Sequence, residues 1–317
     1  MKVVAVCDEI EEKAEAAARH WGVGAHYTDI EAMLRKEQLR FLSVCTPPLT
    51  HTDIVCKALE SDVNVVCEKP LAMTTVDVER MMGRVRAGTA KLTMICNELY
   101  NPAILRAGKI LESLHQQPKL VEVQFLRPAN DKLLRPEHWS HSIPGGMFSE
   151  TLIHGIYLIR HFLGDLTPRD VHLSKQRDHE WKWDEMRASL GSNEKEGVVH
   201  ISFNSPYRQN LMDLYGEENG VRADFFNSDV FLLRNAERRY SAKAAEVWTQ
   251  TSVAMENALG ILRDAALYHF NKIHTSHEAN IRSFVNSVLN GVPPPVSLAD
   301  VHAMVNTQQQ ITDSIDA

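Results

Sequence analysis

The first hundred residues alternate short apolar, β-branched runs with charged helical stretches, and this rhythm constrains the fold more than any other feature. The runs VVAVC, RFLSVC, VNVVC and KLTMIC are separated by EIEEKAEAAARHW, DIEAMLRKE, HTDIVCKALES and VDVERMMGRVRAG. Strands and helices in this order make βαβ units and a parallel sheet. The runs are apolar throughout instead of alternating, as strands covered by helices on both faces require. An α/β domain is therefore expected over 1–100.

Past Asn101-Pro102 the pattern changes. The spacing predicts a helix near 102–114, a strand near 119–127 and a loop carrying Pro136 to Trp139 on to Gly145-Gly146. A helix over about 147–162 follows, ended by Gly164, a residue suited to a left-handed helix end. From about 169 to 235 several strands follow, among them VVHISF, QNLMDLY, GVRADFF and DVFLLR. No helix-length connection separates them, so pairing is expected to be mainly antiparallel, with a hairpin over Tyr215 to Gly220. Helical spacing returns over 245–272, 277–290 and 298–315, the last opened by Ser297 with Asp300 three positions on, a near capping box. The second domain, 101–317, thus reads as α+β with a large, mainly antiparallel open sheet.

Composition excludes several classes of function. Thirty-four Lys and Arg against forty-one Asp and Glu give a formal charge of -7, without the basic excess that nucleic-acid binding favours. The opening MKVVAVCDEIEEK meets acidic residues after a short apolar run, and no stretch reaches the roughly 18 apolar residues of a spanning helix. Five cysteines, Cys7, Cys45, Cys56, Cys67 and Cys96, all lie in the first third. Four end apolar runs, where a thiol packs like any small strand residue. An odd count without C-x-x-C spacing fits neither a disulfide framework nor a zinc ribbon, so reduced structural thiols and a cytoplasmic setting are expected. His138 with His141 and His274 with His277 have pairwise metal-ligand spacing, but no nearby Cys or His completes a set; no metal is expected.

In a dinucleotide-binding (Rossmann-type) domain an acidic residue for the adenosine ribose follows the Gly-rich turn by roughly 20 residues. Asp8 fits that position, yet only seven residues precede it. Gly22-Val23-Gly24 follows a helix and lacks the third glycine; it reads as a helix stop. The first strand of the sheet and its glycine loop are therefore missing. The strand ending at Cys7 and the strand FLSVC lose their shared neighbour, and the helix N-terminus that receives the pyrophosphate is lost with it. The expectation is an N-terminally truncated chain, or else a domain that has given up tight cofactor binding. Direct pairing of those two strands beside a complete cofactor pocket would overturn this reading.

Three stretches carry chemistry: Thr46-Pro47-Pro48-Leu49-Thr50-His51 after one strand, Cys67-Glu68-Lys69-Pro70 after the next, and Gly145-Gly146 through Glu150 and His154 to Gly164. Together, in this order and spacing, they resemble the Gfo/Idh/MocA oxidoreductases over nearly the whole chain. Read alone, Lys69 is an ammonium at the carboxyl end of a parallel strand, or simply a solvated turn lysine. The resemblance implies the catalytic lysine, hydrogen-bonding the substrate hydroxyl beside the nicotinamide. His154 lies four residues after Glu150, so both share one helix face and can point into an interdomain cleft. Imidazole titrates near neutrality. A core histidine is the alternative; the resemblance implies a general base. The family's usual acid before that histidine is aspartate, here Glu150, and a second aspartate three residues after it is here Tyr157, a difference that can report a particular substrate group.

For the cofactor, the resemblance assigns Asp8 to the adenosine ribose, Thr46 and Pro47 to the loop over the dinucleotide, His51 to the nicotinamide side, and Glu68 with Lys69 to the nicotinamide ribose. Asn97 occupies a polar position after the sixth family strand, while the arginine common shortly afterwards is replaced by Glu98-Leu99-Tyr100. Asp8 would repel a 2′-phosphate, favouring NAD over NADP. Asp8 could instead cap the following helix, and His51 could sit in a helical first turn. Trp139 resembles a pocket-wall tryptophan, or is a buried loop anchor. The implied activity is NAD(P)-dependent oxidation or reduction of a hydroxyl or keto group of a sugar, polyol or nucleotide sugar. The resemblance also implies homodimers or homotetramers packed through the open sheet, whose outer face would otherwise expose apolar residues. A non-catalytic binding or regulatory protein that has lost its cofactor site is the alternative.

Overall fold

The computed structural model describes residues 2–178, 181–234 and 275–316, with Val247, Thr251, Ala254, Met255, Ala258, Leu259 and Leu262 as separate helical positions. Apart from these positions, the helix expected over 245–272 lies outside the described residues. The chain divides into two units, Met1–Met94 with Phe284–Leu298, and Ile95–Ser283 with Ala299–Ala317.

The first unit follows the βαβ rhythm: β1 (Ala5–Cys7), α1 (Glu11–Trp21), β2 (Ala25–Tyr27), α2 (Ile30–Lys36), β3 (Phe41–Val44), α3 (His51–Glu60), β4 (Asn64–Cys67), α4 (Thr75–Ala87) and β5 (Leu92–Met94). All pairs are parallel, but they form two sheets, β1-β2 and β3-β4-β5. No strand among the described residues joins β1 to β3, and the two do not pair with each other. The central β4 is sealed, with Val65 and Cys67 fully buried, whereas β1 is only half-buried. Gly22 ends α1 at φ 63, the left-handed helix stop its position suggested. Asp29 caps α2 by accepting from the Glu31 and Ala32 N–H groups, and Thr74 caps α4 through Asp77 N–H. Cys45 departs from the expectation of a packed strand thiol: it is exposed, because β3 is paired on one side only. All five cysteines are free thiols.

Residues 284–298 complete this unit from far along the chain. Phe284, fully buried, meets the Phe41 ring edge-on at 6.3 Å. Lys91 Nζ donates to the Ser287 carbonyl at 2.9 Å, and Thr93 Oγ1 to the Val296 carbonyl at 3.4 Å.

The second unit holds α5 (Pro102–Ser113), β6 (Leu120–Pro128), α6 (Gly146–Leu163), β7 (Thr167–Ser174), β8 (Glu185–Gly191), β9 (Glu196–Ser205), β10 (Gln209–Tyr215), β11 (Asn219–Asp224) and β12 (Asp229–Arg234). Further along, α7 (Ser276–Leu289) crosses the division between units and α8 (Leu298–Asp316) closes the described chain. The seven strands run β12-β11-β10-β6-β9-β8-β7, antiparallel except for β6 beside β9. β6 alternates strictly, burying Val121, Val123, Phe125 and Arg127. α5 and α6 pack on the sheet, α6 against β6 and β9.

α6 is apolar on most sides because α8 covers it as well: Gln308 Nε2 donates to Ser149 Oγ at 2.8 Å, and Arg160 Nη2 to Asp300 at 2.8 Å. Two glycines permit this fit. Gly145 takes φ 73 at the N-cap, and a Cβ on Gly155 would stand 2.7 Å from both Val199 methyls. The sheet face that carries Glu122 and Asp213 is less apolar than expected. Cross-strand ion pairs occupy it, Arg222 with Asp213 at 2.7 Å and Arg187 with Glu122 at 3.3 Å, beside an exposed Phe231.

Candidate active site

α6 supplies the first two groups. Most of its side chains are buried, whereas Glu150 and His154 remain half-buried one turn apart on a shared stripe. They line a cavity of about 180 Å³ wholly within the second unit. β6 contributes Phe125 and Arg127, the following turn Asp131, Lys132 and Leu133, and the neighbouring β10 Asn210, with Arg208 just before that strand; Glu98 and Thr151 complete the wall.

Behind His154 lies a buried network. His154 Nδ1 is 2.7 Å from Tyr157 Oη, which accepts the Glu98 backbone N–H at 3.1 Å and reaches Asn97 Oδ1 at 3.4 Å. Tyr157 is fully buried. A phenol has one proton to give and two lone pairs to receive. All three contacts are satisfied at once when Tyr157 donates to Asn97 and accepts from Glu98 N–H and His154 Nδ1–H. That assignment places the basic lone pair of His154 on Nε2. Tyr157 therefore holds the imidazole from behind. Asn97, assigned by resemblance to the cofactor, sits in this network, its Nδ2 donating to Glu98 Oε1 at 3.0 Å. Burial pushes the Glu98 carboxyl up in pKa, against the pull of the Asn101 and Asn97 amides.

The other expected residues fall in the first unit. Asp8 Oδ1 accepts the Ile10 N–H at 3.0 Å just before α1, a helix that has no side-chain cap. The Thr50 hydroxyl reaches both Thr46 Oγ1 at 2.7 Å and the Pro47 carbonyl at 2.8 Å, bracing an exposed loop. His51 opens α3 fully buried, its ring nitrogens 2.9 Å from the Pro70 carbonyl and 2.8 Å from that of Thr46. Burial holds its pKa below the usual imidazole range, so it ties the Thr46 loop to the Lys69-Pro70 turn. Glu68 and Lys69 are half-buried after β4. Trp139 begins a short 3₁₀ turn beside His138 and is not among the cavity walls.

Sequence reasoning missed Glu98, Arg127, Asp131, Arg208 and Asn210. For Arg127 a signal existed: in VEVQFLR, alternation places an arginine where Val121, Val123 and Phe125 face inward.

A dinucleotide fits these residues in part. Asp8, Thr46-Pro47 and Glu68-Lys69 follow the carboxyl ends of the parallel strands β1, β3 and β4, the edge at which ligands of open α/β sheets bind. The start of α1 is a poor pyrophosphate cradle, because Glu11 and Glu12 stand in its first turn and their charge disfavours an anion there. Among the described residues, no three His, Cys, Asp or Glu side chains are placed to hold a metal ion, and no helix is long and apolar enough to cross a membrane.

The chain thus combines a parallel α/β unit with a mixed-sheet unit whose covering helix carries an acid and an imidazole. Residues 1–95 match the profile of the oxidoreductase family with the NAD-binding Rossmann fold, Gfo/Idh/MocA. The myo-inositol 2-dehydrogenase of Thermotoga maritima is 22% identical over 307 residues, covering 93% of this chain and 83% of that protein. The D-apiose dehydrogenase of Paraburkholderia graminis is 33% identical over 110 residues, which span 35% of this chain and only 29% of that protein. Among solved structures, the WlbA dehydrogenase from Bordetella pertussis, in complex with NADH and UDP-GlcNAcA, superposes with a TM-score of 0.76 at 17% identity, covering 99% of this chain and 88% of that one. The match to that family thus spans the first 95 residues, while the similarity to the myo-inositol 2-dehydrogenase runs over 93% of the chain.

Proposed function

We propose that the protein is a dehydrogenase acting on a hydroxyl or keto group of a sugar, polyol or nucleotide sugar, with His154 as general base. The observation that carries this reading is the Asn97–Tyr157–His154 network, which fixes one imidazole tautomer at the wall of a polar cavity. In that tautomer Nε2 takes the hydroxyl proton, while Nδ1–H stays on Tyr157. Glu150, one turn earlier, favours the imidazolium that forms. Lys69, the lysine of the family motif, assists the deprotonation in this proposal. Bound NAD, preferred over NADP through the carboxylate of Asp8, supplies the hydride acceptor; Thr46, Pro47, His51, Glu68 and Asn97 belong to its surroundings in this proposal. A homodimer or homotetramer in the cytoplasm, packed through the open sheet, belongs to it too; light scattering reads the oligomer directly.

Two measurements test the reading. Fluorescence titration of the folded chain with NADH is expected to saturate, and His154→Ala or Lys69→Ala is expected to lower turnover by about 10²-fold or more with little change in NADH affinity. Small, equal effects of both variants would remove them from the mechanism. Failure of a folded chain to bind NADH at all would favour the non-catalytic reading.

A further inference from the structure

Arg127 is in an unusual position for a cation. It occupies an inward slot of β6 and is 7% exposed, yet its hydrogen bonds go to neutral groups, from Nη1 to Asn210 Oδ1 at 2.6 Å and to the Leu126 carbonyl at 3.2 Å. Its remaining flank lies along the Phe125 ring, 5.6 Å from the centroid. No carboxylate of the described residues forms an ion pair with it. Of the acids whose charge it feels, Asp131 pairs with Arg208 and accepts the Leu133 N–H, Glu98 is held by the amides of Asn97 and Asn101, and Glu150 lines the same cavity without forming an ion pair with Arg127. Burial, with Arg208 nearby, lowers its pKa to about 10. A buried guanidinium without a direct ion pair is costly unless something completes it.

The completing group has to come through the cavity, because Arg127 is part of its wall together with Lys132 and Arg208. The guanidinium fork is shaped for a planar bidentate acceptor. The volume of about 180 Å³ is smaller than the roughly 300–1,000 Å³ of drug-sized pockets and suits a small molecule.

We infer that the substrate carries a carboxylate seated on Arg127, so that the protein acts on a sugar acid, an aldonate or uronate, and not on a neutral polyol. This rests on the dehydrogenase reading above for the reaction, but the anion subsite itself does not depend on turnover. With the carboxylate on β6 and the hydroxyl at His154 on α6, the two ends of one small hydroxy acid are both held within the second unit.

The test is calorimetric titration of the full chain with D-gluconate and D-glucuronate, against D-glucitol and D-glucose as neutral partners and inorganic phosphate as a non-planar anion. The acids are expected to bind about tenfold or more tighter than their neutral partners. Arg127→Met is expected to erase that preference with a melting temperature unchanged or raised, and Arg127→Lys to retain part of it. Equal binding of acids and neutral partners to the wild type, tighter binding of phosphate than of the acids, binding of none of the acids, or a preference that survives in Arg127→Met would each overturn the inference. The wild-type comparison decides even if the variants fail to fold. A preference for acids without turnover with any nicotinamide cofactor would sink the dehydrogenase reading alone, and turnover of neutral polyols with no preference for acids would sink this inference alone.

Discussion

Replacing Tyr157 by Phe removes one oxygen from a fully buried ring and leaves its shape intact. Two donors lose their acceptor, the Glu98 backbone N–H at 3.1 Å and His154 Nδ1–H at 2.7 Å. Leaving a buried donor unsatisfied costs about 1–3 kcal/mol. His154 is half-buried and recovers part of that loss from water, so the sum is about 2–4 kcal/mol. That is a large share of the roughly 5–15 kcal/mol by which domains are stable. Urea denaturation of the two proteins reads it as a shifted midpoint at constant slope. Without Tyr157 the imidazole is also freed to exchange tautomers. If His154 is the base, turnover falls by up to the roughly 10²–10⁴-fold that such a group is worth, with KM nearly unchanged, and nitrogen chemical shifts of His154 report the mixed tautomers. A midpoint change under about 0.5 kcal/mol together with an unaltered His154 tautomer would refute the network argument.

Gly155→Ala adds a methyl 2.7 Å from both Val199 methyls; overpacking of about 1–3 kcal/mol outweighs the gain in helix propensity of about 1 kcal/mol, and Val199→Ala in the same chain is expected to relieve it in a double-mutant cycle. Thiol labelling of the native protein is expected to modify the exposed Cys45 first and half-buried Cys7 more slowly, with Cys56, Cys67 and Cys96 reacting only on unfolding, since burial raises the pKa of each. Glu98→Gln tests the sign of a raised carboxyl pKa. Folding favours the protonated Glu98, so its stabilising contribution is complete below the ordinary carboxylate range and is lost as pH rises through the raised folded value. The variant is therefore expected to be more stable than wild type at pH 7 and to lose that advantage in acid, as read by melting temperatures across pH.

Local pattern made α6 legible: apolar residues on most sides, Gly164 past its end, and Glu150 with His154 at helical spacing anticipate Gly146–Leu163 closely. The strands of the second unit were readable because turn residues separate short strand-like runs with no helix-length connection between them. Other features depend on partners that the local sequence does not name. Ala25–Tyr27 is three residues without a β-branched side chain, and only pairing with β1 makes it a strand. Cys45 reads as a strand thiol but is exposed where β3 lacks a second neighbour. At the site, spacing found Glu150 and His154 on one helix. It could not find that Tyr157, Asn97 and Glu98 meet behind the imidazole, because that contact joins residues 60 apart in the chain.

The return of residues 284–298 to the first unit sets a clock on biosynthesis. Phe41, Lys91 and Thr93 are made early, but their partners Phe284, Ser287 and Val296 emerge about 190 residues after Met94. At about 5–20 residues per second, translation takes roughly 10–40 s to cover that gap. Throughout that interval the first unit stands on the ribosome with one wall unfinished and apolar surface uncovered. For a nascent chain of this design, synonymous changes that slow translation between residues 95 and 283 would lengthen that exposure without altering a single side chain.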